Sequence, residues 1–245
     1  MARLKRTDLR VVSPPSPIRR KQPIPYEEYH YRTGAIQYLP APTRLAVSLR
    51  MALLERWCKP IRQAPSDQDL STLLWTVGKT LSQRVTLLAH ERWEHRGVPS
   101  AGGKHPIDLL VMDWTRTPGA LHLYDPLSHS LRVLKGFPSA LNVSLSRAAE
   151  ACVGWRAGLV IWHVVQVART ASAYRYPDTL IWRDSGVLTG AMAIVSAAVG
   201  LSCVPLGITG EPWLSRGLKA NHQVMGGGGA VIGTPSAAPR QPRYS

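Results

Sequence analysis

The chain has 245 residues, enough for one sizeable hydrophobic core, and 44% of them are hydrophobic, an ordinary globular share. Its formal net charge of +15 is not ordinary and points to an anionic partner or cofactor. Three widely spaced cysteines, Cys58, Cys152 and Cys203, form no C-x-x-C pair, which argues against a disulfide framework or a zinc site and fits a reducing, cytoplasmic setting.

Residues 1–25 are rich in Arg and Pro, with Pro14, Pro15, Pro17, Pro23 and Pro25, and read as an extended basic arm. The segment lacks the apolar stretch of a secretory signal. The first 65 residues carry thirteen Lys and Arg against four acids, either as a solvated tail or as a dock for an acidic peptide or partner protein. One domain is expected over 26–235, followed by a frayed tail over 236–245. Leu45 to Arg56 shows apolar positions at helical spacing. Ser66-x-x-Asp69 is a capping box, so a second helix starts there and carries Leu70, Leu73, Leu74 and Val77.

A small-residue loop, Pro99-Ser100-Ala101-Gly102-Gly103, leads into an apolar run from Ile107 to Met112. Loops of this kind let the backbone approach a flat or anionic ligand. A turn at Thr117-Pro118-Gly119 follows, then strands over 120–124 and 130–134. A short helix is expected over 144–152 and a buried strand over 159–167. Residues 184–199 form a helix apolar nearly all round, hence expected at the centre of the core. Short strands follow at 202–206 and 230–232. The stretch from Val187 to Leu206 carries no charge over spanning length, but Gly200 and Pro205 interrupt it, so a buried helix is expected rather than a membrane span. Helices interleave with a meander rather than βαβ units, which favours an α+β fold with no internal repeat.

Several apparent motifs fail. His90-Glu91-Arg92-Trp93-Glu94-His95 misses the zincin H-E-x-x-H by one residue, which on a helix would set the imidazoles about 140° apart. Gly78-Lys79-Thr80 lacks the first P-loop glycine, because position 73 is Leu. Gly226 to Gly229 lacks G-x-G-x-x-G spacing, and Val98-Pro99-Ser100-Ala101-Gly102 lacks the first glycine of G-x-S-x-G. No metal site is expected.

Four stretches in order carry a resemblance. They are Tyr29-His30 with Thr33; Leu70-Ser71 with Leu74-Trp75; Arg96, Pro99 to Gly102 and Pro106, continuing through Gly119, Leu121 to Pro126, His129 and Leu131; and Gly186 through Pro205-Leu206-Gly207. The set resembles the nitroreductase superfamily, and within it the SagB-type dehydrogenases associated with thiazole and oxazole formation in modified peptides. It covers roughly residues 26–235.

This resemblance implies an FMN-binding fold with a mostly antiparallel central sheet flanked by helices, in an intertwined homodimer with flavin at the subunit interface. It assigns Pro99, Ser100, Ala101 and Gly102 to one wall of the flavin and Pro205, Leu206 and Gly207 to the other. The family's R-x-S-x-R/K element corresponds to Arg56-Trp57-Cys58-Lys59, where Arg56 and Lys59 keep the charge but the hydroxyl is absent; Ser48-Leu49-Arg50 is an alternative match. The family's Lys-Tyr pair falls on the segment from Arg169 to Tyr174-Arg175-Tyr176. Arg does not deprotonate near neutral pH, so Tyr174 or Tyr176 is left as the proton carrier, with Arg175 beside it. The implied activity is oxidation of a heterocycle in a peptide or another biosynthetic intermediate. The rival readings are a degenerate flavin-fold scaffold in a biosynthetic complex and, ranked last, a nucleic-acid-binding module. Only charge supports the latter, since Trp75 and Trp162 lie in apolar runs.

Overall fold

The structure, a computed structural model, describes residues 14–86, 91–220 and 222–236. In chain order the elements are β1 (Ile18–Arg19), β2 (Thr33–Tyr38), α1 (Leu49–Glu55), β3 (Ile61–Gln63), α2 (Asp67–Gly78), β4 (Thr80–Thr86) and β5 (Glu91–Arg96). A 3-10 turn (Ala101–Gly103) precedes β6 (Ile107–Asp113), β7 (Ala120–Asp125), β8 (Ser130–Leu134), α3 (Ser139–Val153), β9 (Leu159–Gln166), α4 (Val167–Ala171) and β10 (Tyr174–Arg175). The chain continues through α5 (Asp178–Ala198), β11 (Ser202–Pro205), α6 (Trp213–Leu218) and β12 (Val224–Pro235).

The central sheet runs β11-β12-β9-β6-β7-β8-β2, with β3 pairing the end of β12, and every pairing is antiparallel. Alternate side chains of β6 and β9 point to opposite faces, and both faces are covered. Leu109, Val111, Ile161 and Val165 pack with Leu73, Leu74, Leu188 and Met192 of α2 and α5. Leu110, Met112, Val160 and Trp162 pack with Leu145 of α3 and Leu214 of α6. Burial on both faces explains why these strands read as continuous apolar runs rather than alternating ones. Truncating a side chain such as Leu110 to Ala costs about 2–5 kcal/mol at a site of this kind.

The capping box forms as expected: the Ala-free first turn of α2 is closed by Ser66 Oγ, which accepts from the Asp69 N–H at 3.1 Å. The α3 helix starts five residues earlier than the sequence indicates, after Pro138 and without a side-chain cap. Its first turn serves another purpose. The Asn142 amide bonds the Gly119 N–H at 2.8 Å and the Gly119 carbonyl at 2.9 Å, which fixes the turn between β6 and β7.

Three expectations need correcting. Apolar composition all round does not bury α5 all round. Ile181, Asp184, Leu188 and Met192 face inward, whereas Trp182, Gly186, Val187 and Gly190 are exposed. The strand expected at 230–232 is twelve residues long, because the four glycines Gly226 to Gly229 also lie inside β12. Glycine is required there: a Cβ on Gly226 would sit 2.2 Å from the Thr209 carbonyl oxygen, and Gly228 has φ +122° at a register shift. Finally, His95 lies on β5, which pairs with β4 in a hairpin the sequence reading missed; His90 lies outside the described residues.

The described part of the N-terminal arm lies against the domain. β1 pairs with β10, and the Arg20 and Ile24 N–H groups donate to the Ala173 and Ser172 carbonyls. Residues 1–13 of the arm and 237–245 of the tail lie outside the described residues. Among the described residues no helix is long and apolar enough to cross a membrane, α5 included, and no group of His, Cys, Asp or Glu is arranged to hold a metal.

Candidate functional site

The loop from Pro99 to Gly103 is held from below by α5. Ser100 Oγ donates to Asp184 at 2.6 Å, and the Ala101 N–H donates to the same carboxylate at 3.1 Å. Ser100 Oγ in turn accepts from the His105 N–H at 2.9 Å. Gly102 and Gly103 both adopt left-handed backbone, φ +62° and +65°, which lets the loop double back. Burial raises the Asp184 pKa, against the pull of the Ser100 and Ala101 bonds. Two of the backbone donors that the sequence analysis makes available to a ligand are therefore engaged within the protein: Ala101 on Asp184, and Gly103 on the Ser100 carbonyl. What the loop presents is a thin, rigid surface, with Pro99 and Gly102 exposed.

Tyr174 and Trp93 flank this surface. A Cβ on Gly102 would come within 2.8 Å of the Tyr174 hydroxyl, and one on Gly103 within 2.3 Å of Trp93 Nε1. The two side chains thus close on backbone that has no side chain of its own. Trp93 stacks on His95, with ring centroids 6.4 Å apart, and the Arg84 guanidinium lies 5.8 Å over the indole. The Tyr174 hydroxyl has no hydrogen-bond partner among the described residues. Arg175 and Tyr176 turn to solvent, Tyr176 at φ +53°.

Arg169, where the resemblance places a lysine, is locked. Its guanidinium makes two bonds of 2.9 Å to Glu28, one of 2.8 Å to Asp108 and one of 3.0 Å to the His105 carbonyl. Burial works to lower its pKa, but the two carboxylates outweigh that and hold it further above its usual value. It takes no part in proton transfer. His105, between the loop and this ion pair, is pushed down to about 4, chiefly by burial and also by Arg96 and Arg169, so its imidazole is neutral.

The remaining candidates gather elsewhere, around the edge strand β11. The Lys59 N–H donates to Ser202 Oγ at 3.0 Å, and that hydroxyl donates back to the Lys59 carbonyl at 2.7 Å. Arg56 is exposed and close enough to Cys203 to lower its pKa, although burial dominates and pushes the thiol up to about 12. Pro205 ends β11. Leu206 is buried and donates its N–H to the Gly229 carbonyl, while Pro205 and Gly207 are exposed. Ser48, the alternative hydroxyl, is engaged as the N-cap of α1. The sequence-derived residues therefore form two groups: Pro99 to Gly102 with Tyr174, and Arg56 and Lys59 with Pro205 to Gly207. The first group leads into β6, and the sheet order puts β12 and β9 between β6 and β11, about 14 Å at the usual strand spacing.

Two of the motifs that carry the resemblance meet inside the protein. Ser71 Oγ donates to the Pro40 carbonyl, so at 2.8 Å it accepts from His129 Nε2; His129 Nδ1 then accepts from the Tyr124 hydroxyl at 2.9 Å. Trp75 packs edge-on against the same imidazole. A second buried histidine, His163, donates from Nδ1 to Ser185 Oγ at 2.9 Å, and that hydroxyl donates to the Gly227 carbonyl at 2.6 Å. Neither arrangement is readable from spacing, because each joins residues on different elements. Asp184, Trp93 and Glu28 were missed for the same reason.

No family model matches the chain, and no curated protein does. Solved structures do. A protein of Ralstonia eutropha JMP134 assigned to the nitroreductases superposes with a TM-score of 0.61 at 21% identity, over 88% of this chain and all of that one. Another, from Anabaena variabilis ATCC 29413, gives 0.58 at 21% identity over 86% of this chain, which spans 41% of that longer protein. A chain of the Escherichia coli microcin synthetase McbBCD, solved with truncated pro-MccB17 bound, gives 0.55 at 16% identity over 74% of this chain and 70% of that one. These likenesses give the chain the nitroreductase fold.

Proposed function

We propose that the chain is an FMN-dependent oxidoreductase that works as a homodimer and oxidises an azoline-type heterocycle in a modified peptide or another biosynthetic intermediate. The observation that carries this reading is the small-residue loop, pinned by Asp184 beside the free hydroxyl of Tyr174, on a nitroreductase fold. The exposed glycine surface fits a flat ring, which tolerates little beyond backbone against its faces. Arg56 and Lys59 supply positive charge for the phosphate and for the reduced ring. When bound, FMN supplies the acceptor for a hydride. We assign Tyr174 to carry a proton at the substrate, which its free hydroxyl beside Gly102 supports, with Tyr176 as the alternative.

Two copies are part of the proposal for a geometric reason. Walls that contact both faces of one flat ring stand about 7–8 Å apart. On one chain the loop leads into β6 and residues 205–207 leave β11, strands about three spacings apart in the sheet, so we pair the loop of one copy with residues 205–207 of another. The face that would meet the second copy is apolar: Leu49, Leu54 and Trp57 at and after α1, and Trp182 and Val187 on α5, are all exposed, Leu49 by 67%. The shared fold with a microcin synthetase chain favours a peptide substrate.

Purified protein tests the reading directly. It should be yellow and release FMN on denaturation; a colourless protein that takes up no added FMN would sink it. That second outcome favours a scaffold role on the same fold, for which the engaged donors of Ala101 and Gly103 and the missing hydroxyl between Arg56 and Lys59 speak.

A further inference from the structure

Four basic side chains from three separate segments, His30 and Arg32, Lys135, and Lys219, line one cavity of about 250 Å³. It lies between the N-terminal segment, the turn from β8 to α3 and the end of α6. No carboxylate lines it, and none of its three cations, Arg32, Lys135 and Lys219, has an ion-pair partner among the described residues.

The neighbouring cavity, which shares Tyr29 and His30, shows the contrast. There every lining arginine is matched: Arg96 with Glu94, Arg132 with Asp125, and Arg169 with Glu28 and Asp108. Like charges gathered without a counter-charge repel one another, and a bound anion relieves that repulsion.

The cavity is built rather than incidental. The Lys135 N–H donates to the Arg32 carbonyl at 2.8 Å, which sets the two side chains on adjoining strand ends. Lys135 lies across Gly34, where a Cβ would be 2.4 Å from its Cε. Gly136 turns the chain at φ +79°, and Lys219 caps α6 at φ +55°. The Tyr29 hydroxyl donates to the Leu218 carbonyl, and the Phe137 ring rests on Gly217. The result is a cationic rim on an aromatic and apolar base.

The charge number decides the ligand class. A carboxylate is satisfied by one of these cations. A phosphate monoester carries nearly two charges and three acceptor oxygens, enough to engage Arg32, Lys135 and Lys219 together. The volume is about eight times a water's share of about 30 Å³, which leaves room for an organic group beside the phosphate.

We propose that this cavity is a second ligand site, apart from both candidate flavin walls, that holds the phosphate of a small phosphate ester on Arg32, Lys135 and Lys219 with its organic group against Tyr29 and Phe137. The proposal does not depend on the oxidoreductase reading.

Isothermal titration of the full chain with phenyl phosphate, inorganic phosphate and phenol, at fixed ionic strength, tests it. Phenyl phosphate should bind, inorganic phosphate more weakly, and phenol not at all. Arg32→Gln and Lys135→Gln should each weaken phenyl phosphate about tenfold or more while unfolding like the parent protein. Arg147→Gln, an exposed position on α3 outside the cavity, should leave the affinity unchanged. Equal affinity in the Arg32 and Lys135 variants, or no binding of either phosphate, overturns the site. Equal affinity for inorganic phosphate and phenyl phosphate overturns the ester. If those variants lose flavin instead, the cavity serves the flavin and is not a second site.

Discussion

The Ser100 hydroxyl donates to the Asp184 carboxylate at 2.6 Å, joining positions 84 residues apart in sequence. Through this bond and the Ala101 N–H, the second turn of α5 sets where the loop stands. Asp184→Ala would leave two donors unpaired in a largely buried place, at about 1–3 kcal/mol. Asp184→Asn keeps the shape but retains only one acceptor oxygen. Both variants should lower the denaturation midpoint and the flavin content per chain, Ala more than Asn. Unchanged flavin content in Asp184→Ala would mean that the loop's position does not matter to cofactor binding.

Arg169 carries a different expectation. Removing it leaves Glu28 and Asp108 facing each other without their common cation, and breaking a buried pair in this way costs about 3–5 kcal/mol. Arg169→Met should show this loss in urea denaturation. Arg169→Lys should recover only part of it, because an ammonium cannot reproduce the double bond to Glu28 together with the bonds to Asp108 and the His105 carbonyl.

Two histidines make the fold sensitive to acid. Burial pushes His163 down to about 4, and His105 is also held at about 4. From about pH 7.5 upward, a unit above the ordinary value of 6.5, both are neutral in folded and unfolded chains, and stability is at its full value. As the pH falls from 6.5 toward 4, the unfolded chain takes up protons that the folded one refuses, so stability drops. His163 alone accounts for about 3 kcal/mol at the acid end. Urea midpoints measured between pH 7 and 4 should trace this fall, and His163→Gln should flatten part of it. A midpoint independent of pH across that window would contradict the burial of both rings.

Tyr174 and Tyr176 separate by position. Tyr174→Phe should cut turnover with little change in flavin content, since its hydroxyl stands free at Gly102. Tyr176→Phe, half exposed and turned from the loop, should have the smaller effect. Single-turnover reduction of the bound flavin would show the difference; equal rates in both variants and the parent would remove the tyrosine proposal.

Much of the sheet was legible because burial writes itself into sequence. β8 falls at 130–134 as expected, and β6 and β7 each extend one residue further. Runs that pack on both faces carry no competing polar signal. The hairpin of β4 and β5 was not legible, since Gln83, Arg84, Glu94 and His95 give no apolar alternation and Leu81 to Arg84, Trp93 and His95 are exposed. At the candidate site the loop itself was readable from its small residues. What holds and flanks it was not: Asp184 lies in the second turn of a largely apolar helix, Trp93 sits on the unforeseen hairpin, and nothing in either stretch names the loop as its partner.

The glycine-bearing strand β12 has a consequence for how the chain is made. It is the seam of the sheet, pairing with β9 over most of its length, with β11 over Ala230 to Gly233 and with β3 at its end. Until residues 224–235 emerge from the ribosome, β11 and β3 have no strand to join and β9 keeps an open edge. A nascent chain at that stage offers unpaired edges to its neighbours. Versions shortened before Val224 should therefore aggregate rather than fold, however intact their loop and helices are.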